Sequence, residues 1–276
     1  MNSYKKYGED ESCNQSQIYS PHGQIIRFGF TTRSGGVSQG PYASFNLGLH
    51  VGDDLHAVQQ NRRTLERMFH SSLVWMNQVH GDQIADASSA RDDNGSLNVG
   101  EVDAIIVEGS GIPEGKSLGA VVMVADCTPL ILIDSTGNRA AAVHVGRAGL
   151  ELNIAGKAVS ELLDRGSIAN NIMAVIGPGI CGRCYELPNE VVQRIENNFP
   201  GAQSITSWGT SAVDIPRALK TQLRNAGVND VRVTDICTLE SDDYFSHRAA
   251  TKLGETTGRF GGVVVLDNDS ATDGSH

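Results

Sequence analysis

The sequence contains no run near the roughly 18 apolar residues a membrane-crossing helix needs, and its first twenty residues lack the apolar centre of a secretory signal. A cytoplasmic protein is expected. Positive charge is in short supply: 22 Lys and Arg stand against 32 Asp and Glu, a formal net charge of -10. Such a surface repels nucleic acid and anionic lipid at long range, so the expected partner is a small molecule. Cysteine is sparse as well. The five thiols, Cys13, Cys127, Cys181, Cys184 and Cys237, are odd in number and scattered, which excludes a disulfide framework. Each is then a plain thiol, a redox group or a metal ligand. Without internal repeats or a low-complexity linker, the 276 residues read as one domain over 24–266, with a polar, mobile segment at 1–23 and an acidic tail at 267–276.

What the chain does have is a mixture of short β-rich runs and amphipathic helices. QIIRFGFTTR, LVWMNQVHG, VDAIIVE, AVVMVA, LILID, RAAAVHV, IMAVIG, VRVTDI and GGVVVL read as strands. AVQQNRRTLERMF reads as a helix, and so do GLELNIAGKAVSELLDRG, PNEVVQRIENNF and DIPRALKTQLRNAGV. Several strands come in succession between helices, which predicts an α+β fold with mixed sheets over a strictly alternating one.

Two local motifs carry little. Gly177 to Gly182, GPGICG, has dinucleotide-loop spacing, but Pro178 interrupts it and the next helix begins only near Pro188, so a phosphate would have no helix end to sit on. Overlapping it, Cys181-Gly182-Arg183-Cys184 has the redox C-x-x-C form without a helix behind it. It reads as two thiols in a glycine-rich loop, because a zinc ribbon needs a second such pair and there is none.

A dispersed set carries more. His80, Cys127 and His144 each fall at the end of a predicted strand, and they converge if those strands are neighbours in one sheet. Two imidazoles and a thiolate suit Zn²⁺ and leave a fourth position open, as a catalytic centre requires. Buried structural His and Cys remain the alternative from residue type alone. So does a Cys127 nucleophile with His144 as its base. In the loop TTRSGGVSQGPYASFNLG, Arg33 and Asn46 suit an oxyanion or phosphate. Arg62, His247, Arg248 and Arg259 are further sources of positive charge.

Taken together, FTTRSGGVS, SFNLG, NQVHG, VADCTPLIL, AVHVGRAGL, IGPGICGRCYEL and FSHR with TTGR resemble, in order, the blocks of the YfiH-type, laccase-domain family. The resemblance implies a layered α/β sandwich related to a cytotoxic deamidase, with metal ligands at His80, Cys127 and His144. It implies a purine nucleoside phosphorylase acting on adenosine, inosine, guanosine or methylthioadenosine, with adenosine deaminase activity and zinc as the cofactor. A copper-dependent polyphenol oxidase and a cysteine hydrolase, including one that edits peptidoglycan precursors, are its other readings. Eight His without an H-x-H pair speak against several coppers. Two blocks depart from the family pattern: H-x-G-W-R-G is here His144-Val145-Gly146-Arg147-Ala148-Gly149, so the Trp is lost and the Arg moves one place earlier, and the paired arginines near the end are here Arg248-Ala249, with a longer spacer before Thr257-Gly258-Arg259. These readings name Asp126 as a proton shuttle beside the metal ligands, and Arg33, Asn46, Arg62, Gln78, Arg147 and Arg248 as substrate or phosphate contacts.

Overall fold

Successive side chains of a strand face opposite sides of its sheet, so a strand covered on both faces reads as an unbroken apolar run. The central runs of this chain are used in that way. The computed structural model describes residues 5–10, 12–21, 24–136 and 138–268. Eight strands form one sheet: β1 (Lys5–Asp10), β2 (Cys13–Tyr19), β3 (Ile25–Thr31), β4 (Ser72–Asn77), β6 (Arg91–Asp93), β7 (Ser96–Glu101), β9 (Ser117–Val124) and β16 (Phe260–Asp267), in the order β1-β2-β3-β16-β9-β4-β7-β6. Six form the other: β5 (Ile84–Asp86), β8 (Ala104–Glu108), β10 (Thr128–Asp134), β11 (Arg139–Val145), β12 (Ile172–Ile176) and β15 (Asp230–Val233), in the order β15-β12-β10-β11-β8-β5. A small hairpin, β13 (Gln203–Ile205) and β14 (Ser211–Val213), stands apart.

The two sheets pack face to face. Val122 and Val124 of β9, Val264 of β16, Ile131 and Ile133 of β10 and Ala142 of β11 share the central core. Their neighbours along each strand face outward and are covered by helices. Val121, Met123, Val263 and Val265 meet helix α1 (Leu55–Phe69) through Leu65 and Phe69. Leu130, Leu132, Ala141 and Val143 meet α3 (Ile154–Asp164), α4 (Asn189–Asn198) and α5 (Ile215–Asn225). The result is the expected layered sandwich, helix on sheet on sheet on helix.

Three expectations change. Cys13–Tyr19 is no loose segment: β2 pairs with β3 along its whole length and buries Cys13 and Ile18, because backbone pairing recruits a polar sequence that composition assigns to solvent. At the other end, Asp267 closes β16 and holds Arg27 through two bonds of 2.6 and 2.8 Å; residues 269–276 of the expected tail lie outside the described residues. The long helix after His144 is in fact two. Asn153 takes a left-handed conformation (φ 57°) and separates α2 (Arg147–Glu151) from α3.

Candidate metal centre

The three predicted ligands do converge, with their donor atoms within 4.8 Å of one another. They do not come from neighbours in one sheet. His80 follows β4 and Cys127 follows β9, adjacent strands of the eight-stranded sheet, whereas His144 lies within β11 of the six-stranded sheet. The centre therefore sits where the two sheets meet. Nor do His80 and Cys127 end their strands: β4 stops at Asn77 and β9 at Val124, and each ligand is carried on the turn that follows. Both turns use left-handed backbone, at His80 (φ 60°) and at Asp126 (φ 83°), which non-glycine residues adopt only where surroundings hold them.

What holds His80 is Asp103, a residue the sequence reading missed. Its buried carboxylate accepts the backbone N–H groups of Val79 (3.3 Å), His80 (3.0 Å) and Gly81 (2.6 Å). Successive amides turned onto one anion offset the strain of the left-handed residue. The same carboxylate lies 2.7 Å from Nδ1 of His144. The ring N–H donates to it, which leaves Nε2 to face Cys127 and a cation. The only sequence signal was an acid among apolar residues, in VDAIIVE.

The donor set fits a cation. His80 Nε2 is 3.9 Å from Cys127 Sγ, and the two imidazoles stand edge to face with centroids 4.7 Å apart. Burial pushes the Cys127 thiol up, but the charge and hydrogen bonds of His144 and His80 outweigh it and bring it down to about 6. Burial disfavours the charged form of His144, yet Cys127 and Asp103 raise it to about 9. A divalent cation held here would be balanced by the Cys127 thiolate and would displace the proton between Cys127 and His144. Beside it, Gly146 keeps space open, since a Cβ there would lie 3.0 Å from Cys127 Sγ and 3.2 Å from His80 Cδ2.

Two cavities adjoin these residues and share His80, Ala125, Cys127 and His247 in their walls. The larger, of about 380 Å³, is walled by Ile180, Tyr185 and Ile215 with Arg147 and Arg248. The smaller, of about 260 Å³, brings His50, Gln78, His144 and Arg259 together. Burial, Arg259, Arg62 and His80 all hold His50 toward its neutral form. His50 and Tyr185 were not singled out from sequence, although Tyr185 directly follows the C-x-x-C within IGPGICGRCYEL.

The other predicted residues divide. Arg147 and Arg248 reach the larger cavity, and Gln78 lines the smaller while its amide is engaged by both backbone groups of Met123 (2.7 and 2.8 Å). Asp126 lines the larger cavity, but one oxygen accepts from Thr238 Oγ1 and the other from the Arg248 amide, both at 2.6 Å. It thereby ties its own turn to the Thr238 loop and to the start of the helix His247–Leu253. Arg33, Asn46 and Arg62 line neither cavity. Arg33 bonds the Ala43 carbonyl and lies over the Phe245 ring. Asn46, wholly buried, bonds Gly48, Asp53 and the Arg259 amide. Arg62 bonds Leu47 and stacks on Trp75, and burial brings its guanidinium down to about 9. A glycine-rich loop with Arg and Asn suggested phosphate; here those side chains serve backbone groups of the loop itself. The glycines of GPGICG serve packing: a Cβ on Gly177 would stand 2.3 Å from the Phe30 ring, and one on Gly182 2.6 Å from Asp214.

Fold and site define a layered α/β protein with a His₂Cys centre between its two sheets. Residues 27–267 match the family described as multi-copper polyphenol oxidoreductase laccase, and the chain belongs to that family. Among curated relatives, a purine nucleoside phosphorylase of Streptomyces griseus is 40% identical over 243 residues, covering 87% of this chain and 94% of the relative. Among solved structures, YlmD from Geobacillus stearothermophilus has a TM-score of 0.76 at 30% identity, covering 95% of this chain and 98% of that one. YfiH from Bacillus licheniformis has a TM-score of 0.77 at 26% identity, covering 94% and 98%.

Proposed function

We propose that this chain is a metal-dependent purine nucleoside phosphorylase that also deaminates adenosine, working in the cytoplasm. The observation that carries the reading is the pair of cavities sharing His80 and Cys127. The larger has room for a purine and sets Ile180, Tyr185 and Ile215 beside Arg147 and Arg248; the smaller offers Arg259 to phosphate. Relatives named purine nucleoside phosphorylase support the same substrates.

In this reading the base stacks on Tyr185 between Ile180 and Ile215, with Arg248, whose guanidinium lies 5.3 Å from the Tyr185 ring, at its polar edge. Arg259 and His50 hold phosphate on the opposite side of the shared wall, beneath the ribose carbon that it attacks. Arg259 is suited to this, since its guanidinium is anchored by the carbonyls of Thr257 and Gly258 and needs no reordering. His247 lines both cavities, where a proton passes to or from the base. His80, Cys127 and His144 would hold the cation, zinc being the metal that the ligand set favours, and when bound it supplies a Lewis acid and a water of lowered pKa. Two histidines in one cluster, among the described residues, support one metal rather than several coppers.

The test is release of adenine, hypoxanthine, guanine and methylthioadenosine-derived adenine with and without phosphate, before and after chelation. Phosphate-dependent release that chelation abolishes is expected; release indifferent to phosphate overturns the reading. The Cys127 thiolate beside His144 favours one second reading, a cysteine hydrolase. Alkylation would abolish its activity and chelation would leave it intact.

A further inference from the structure

We propose a second metal site, in which Cys181, Cys184, Cys237 and Glu240 bind Zn²⁺ and brace the wall of the larger cavity. The four donor atoms lie within 4.8 Å of one another, although the two halves of the set are more than fifty residues apart. None of them belongs to the His80 centre.

Each half is a tight turn that carries donors at positions i and i+3. In the first, the Cys184 and Tyr185 amides both bond the Cys181 carbonyl at 2.9 Å. In the second, the Glu240 amide bonds the Cys237 carbonyl at 3.2 Å. The turns face one another because Gly179 bridges to Cys237 in parallel, the Thr238 amide bonding the Gly179 carbonyl at 3.2 Å. C-x-x-C thus meets C-x-x-E. That is the spacing by which paired knuckles hold a tetrahedral zinc, with a carboxylate in place of one thiolate.

The local chemistry agrees. Cys184 Sγ lies 3.3 Å from Glu240 Oε1, and the Cys181 amide points at Cys237 Sγ from 3.4 Å, a donor that favours a thiolate. Ile180 and Leu239 pack on the apolar side of the cluster, and Glu240 lies exposed at its rim. Burial and the surrounding thiols and carboxylate push the Cys181 and Cys184 thiols up, since negative charge would accumulate there, while Arg183 at the rim pairs with Glu240. Zinc reverses that balance: it takes four electron pairs, three from sulfur and one from oxygen, and releases the three thiol protons to solvent.

The site has a consequence for the cavity. Ile180 and Tyr185 flank the first turn and line the larger cavity, and Thr238 in the second turn holds Asp126. A cation joining the turns fixes that wall.

The test is zinc content by mass spectrometry, on full-length protein purified with reductant and zinc, for wild type, Cys127→Ala and the double variant Cys184→Ser, Cys237→Ser. With both centres loaded, about two equivalents are expected in the wild type and about one in each variant. One equivalent that survives Cys127→Ala and disappears in the double variant also supports the proposal, and would count against the His80 centre alone. If the double variant does not fold, Co²⁺ added to folded Cys127→Ala decides: a thiolate-to-cobalt charge-transfer band is expected. No metal in Cys127→Ala, no such band, or a disulfide among Cys181, Cys184 and Cys237 in the reduced preparation overturns the proposal.

Discussion

Oδ1 of Asp103 stands 2.7 Å from Nδ1 of His144, and both side chains are buried. Because the same carboxylate gathers the amides of Val79, His80 and Gly81, one acid positions a ligand from each sheet. It is a positioning residue for the metal centre.

Replacing it tests that role. Asp103→Asn keeps the shape but loses the charge, and its NH₂ group cannot accept the amides or the ring N–H. Metal affinity, measured by competition with a chromogenic chelator, is expected to fall about 10- to 100-fold, as for other partners of ligating histidines. Unchanged affinity would show that His144 is oriented by its strand alone.

Gly146→Ala probes crowding without replacing a ligand. The backbone there (φ -85°, ψ -176°) suits alanine, so strain enters only through the methyl group against Cys127 Sγ and His80. Weaker metal binding at an unaltered urea midpoint is expected; a lowered midpoint with normal metal content would refute it.

The division of the cavities is checked by kinetics. Tyr185→Ala should raise KM for nucleoside and leave KM for phosphate near its original value. A lost base–aromatic stack, worth about 1–3 kcal/mol, corresponds to about 5- to 150-fold. Arg259→Gln should do the converse. If both variants raise the same KM, the two cavities are not separate subsites.

A pH effect follows from Asp86. Burial pushes its carboxyl up, but bonds from Ser88 and Arg165 outweigh this and hold it below the usual range. A group depressed in the folded state contributes stability above its unfolded value, about 3.9, and that stability is lost as pH falls through the folded value. Asp86→Asn should therefore lower Tm at pH 7, with the gap to the wild type narrowing as pH falls below about 3.9. A gap independent of pH would assign the effect to packing.

Much of the fold was legible because burial leaves a local signature. The unbroken runs AVVMV, LILI and VVVL belong to strands covered on both faces, and each long helix shows an apolar stripe. The N-terminal strands escaped notice because CNQSQIY is held by pairing with β3, which no local pattern encodes. The Asn153 break was equally hidden, since the apolar period continues across it.

By itself the sequence pointed to His80, Cys127 and His144 as candidate metal ligands, because a thiol and two imidazoles stand in or beside apolar runs where valine would pack better. It also determined the i, i+3 spacing of Cys181 and Cys184. Only the tertiary structure decided the rest. It drew the ligands from two sheets, placed Asp103 behind them, and set Cys237 and Glu240 opposite the first pair of thiols. It also turned Arg33, Asn46 and Arg62 from the site to the backbone. The reason is physical: periodicity reports which face of an element is buried, whereas a site is made by contacts between elements far apart in the chain.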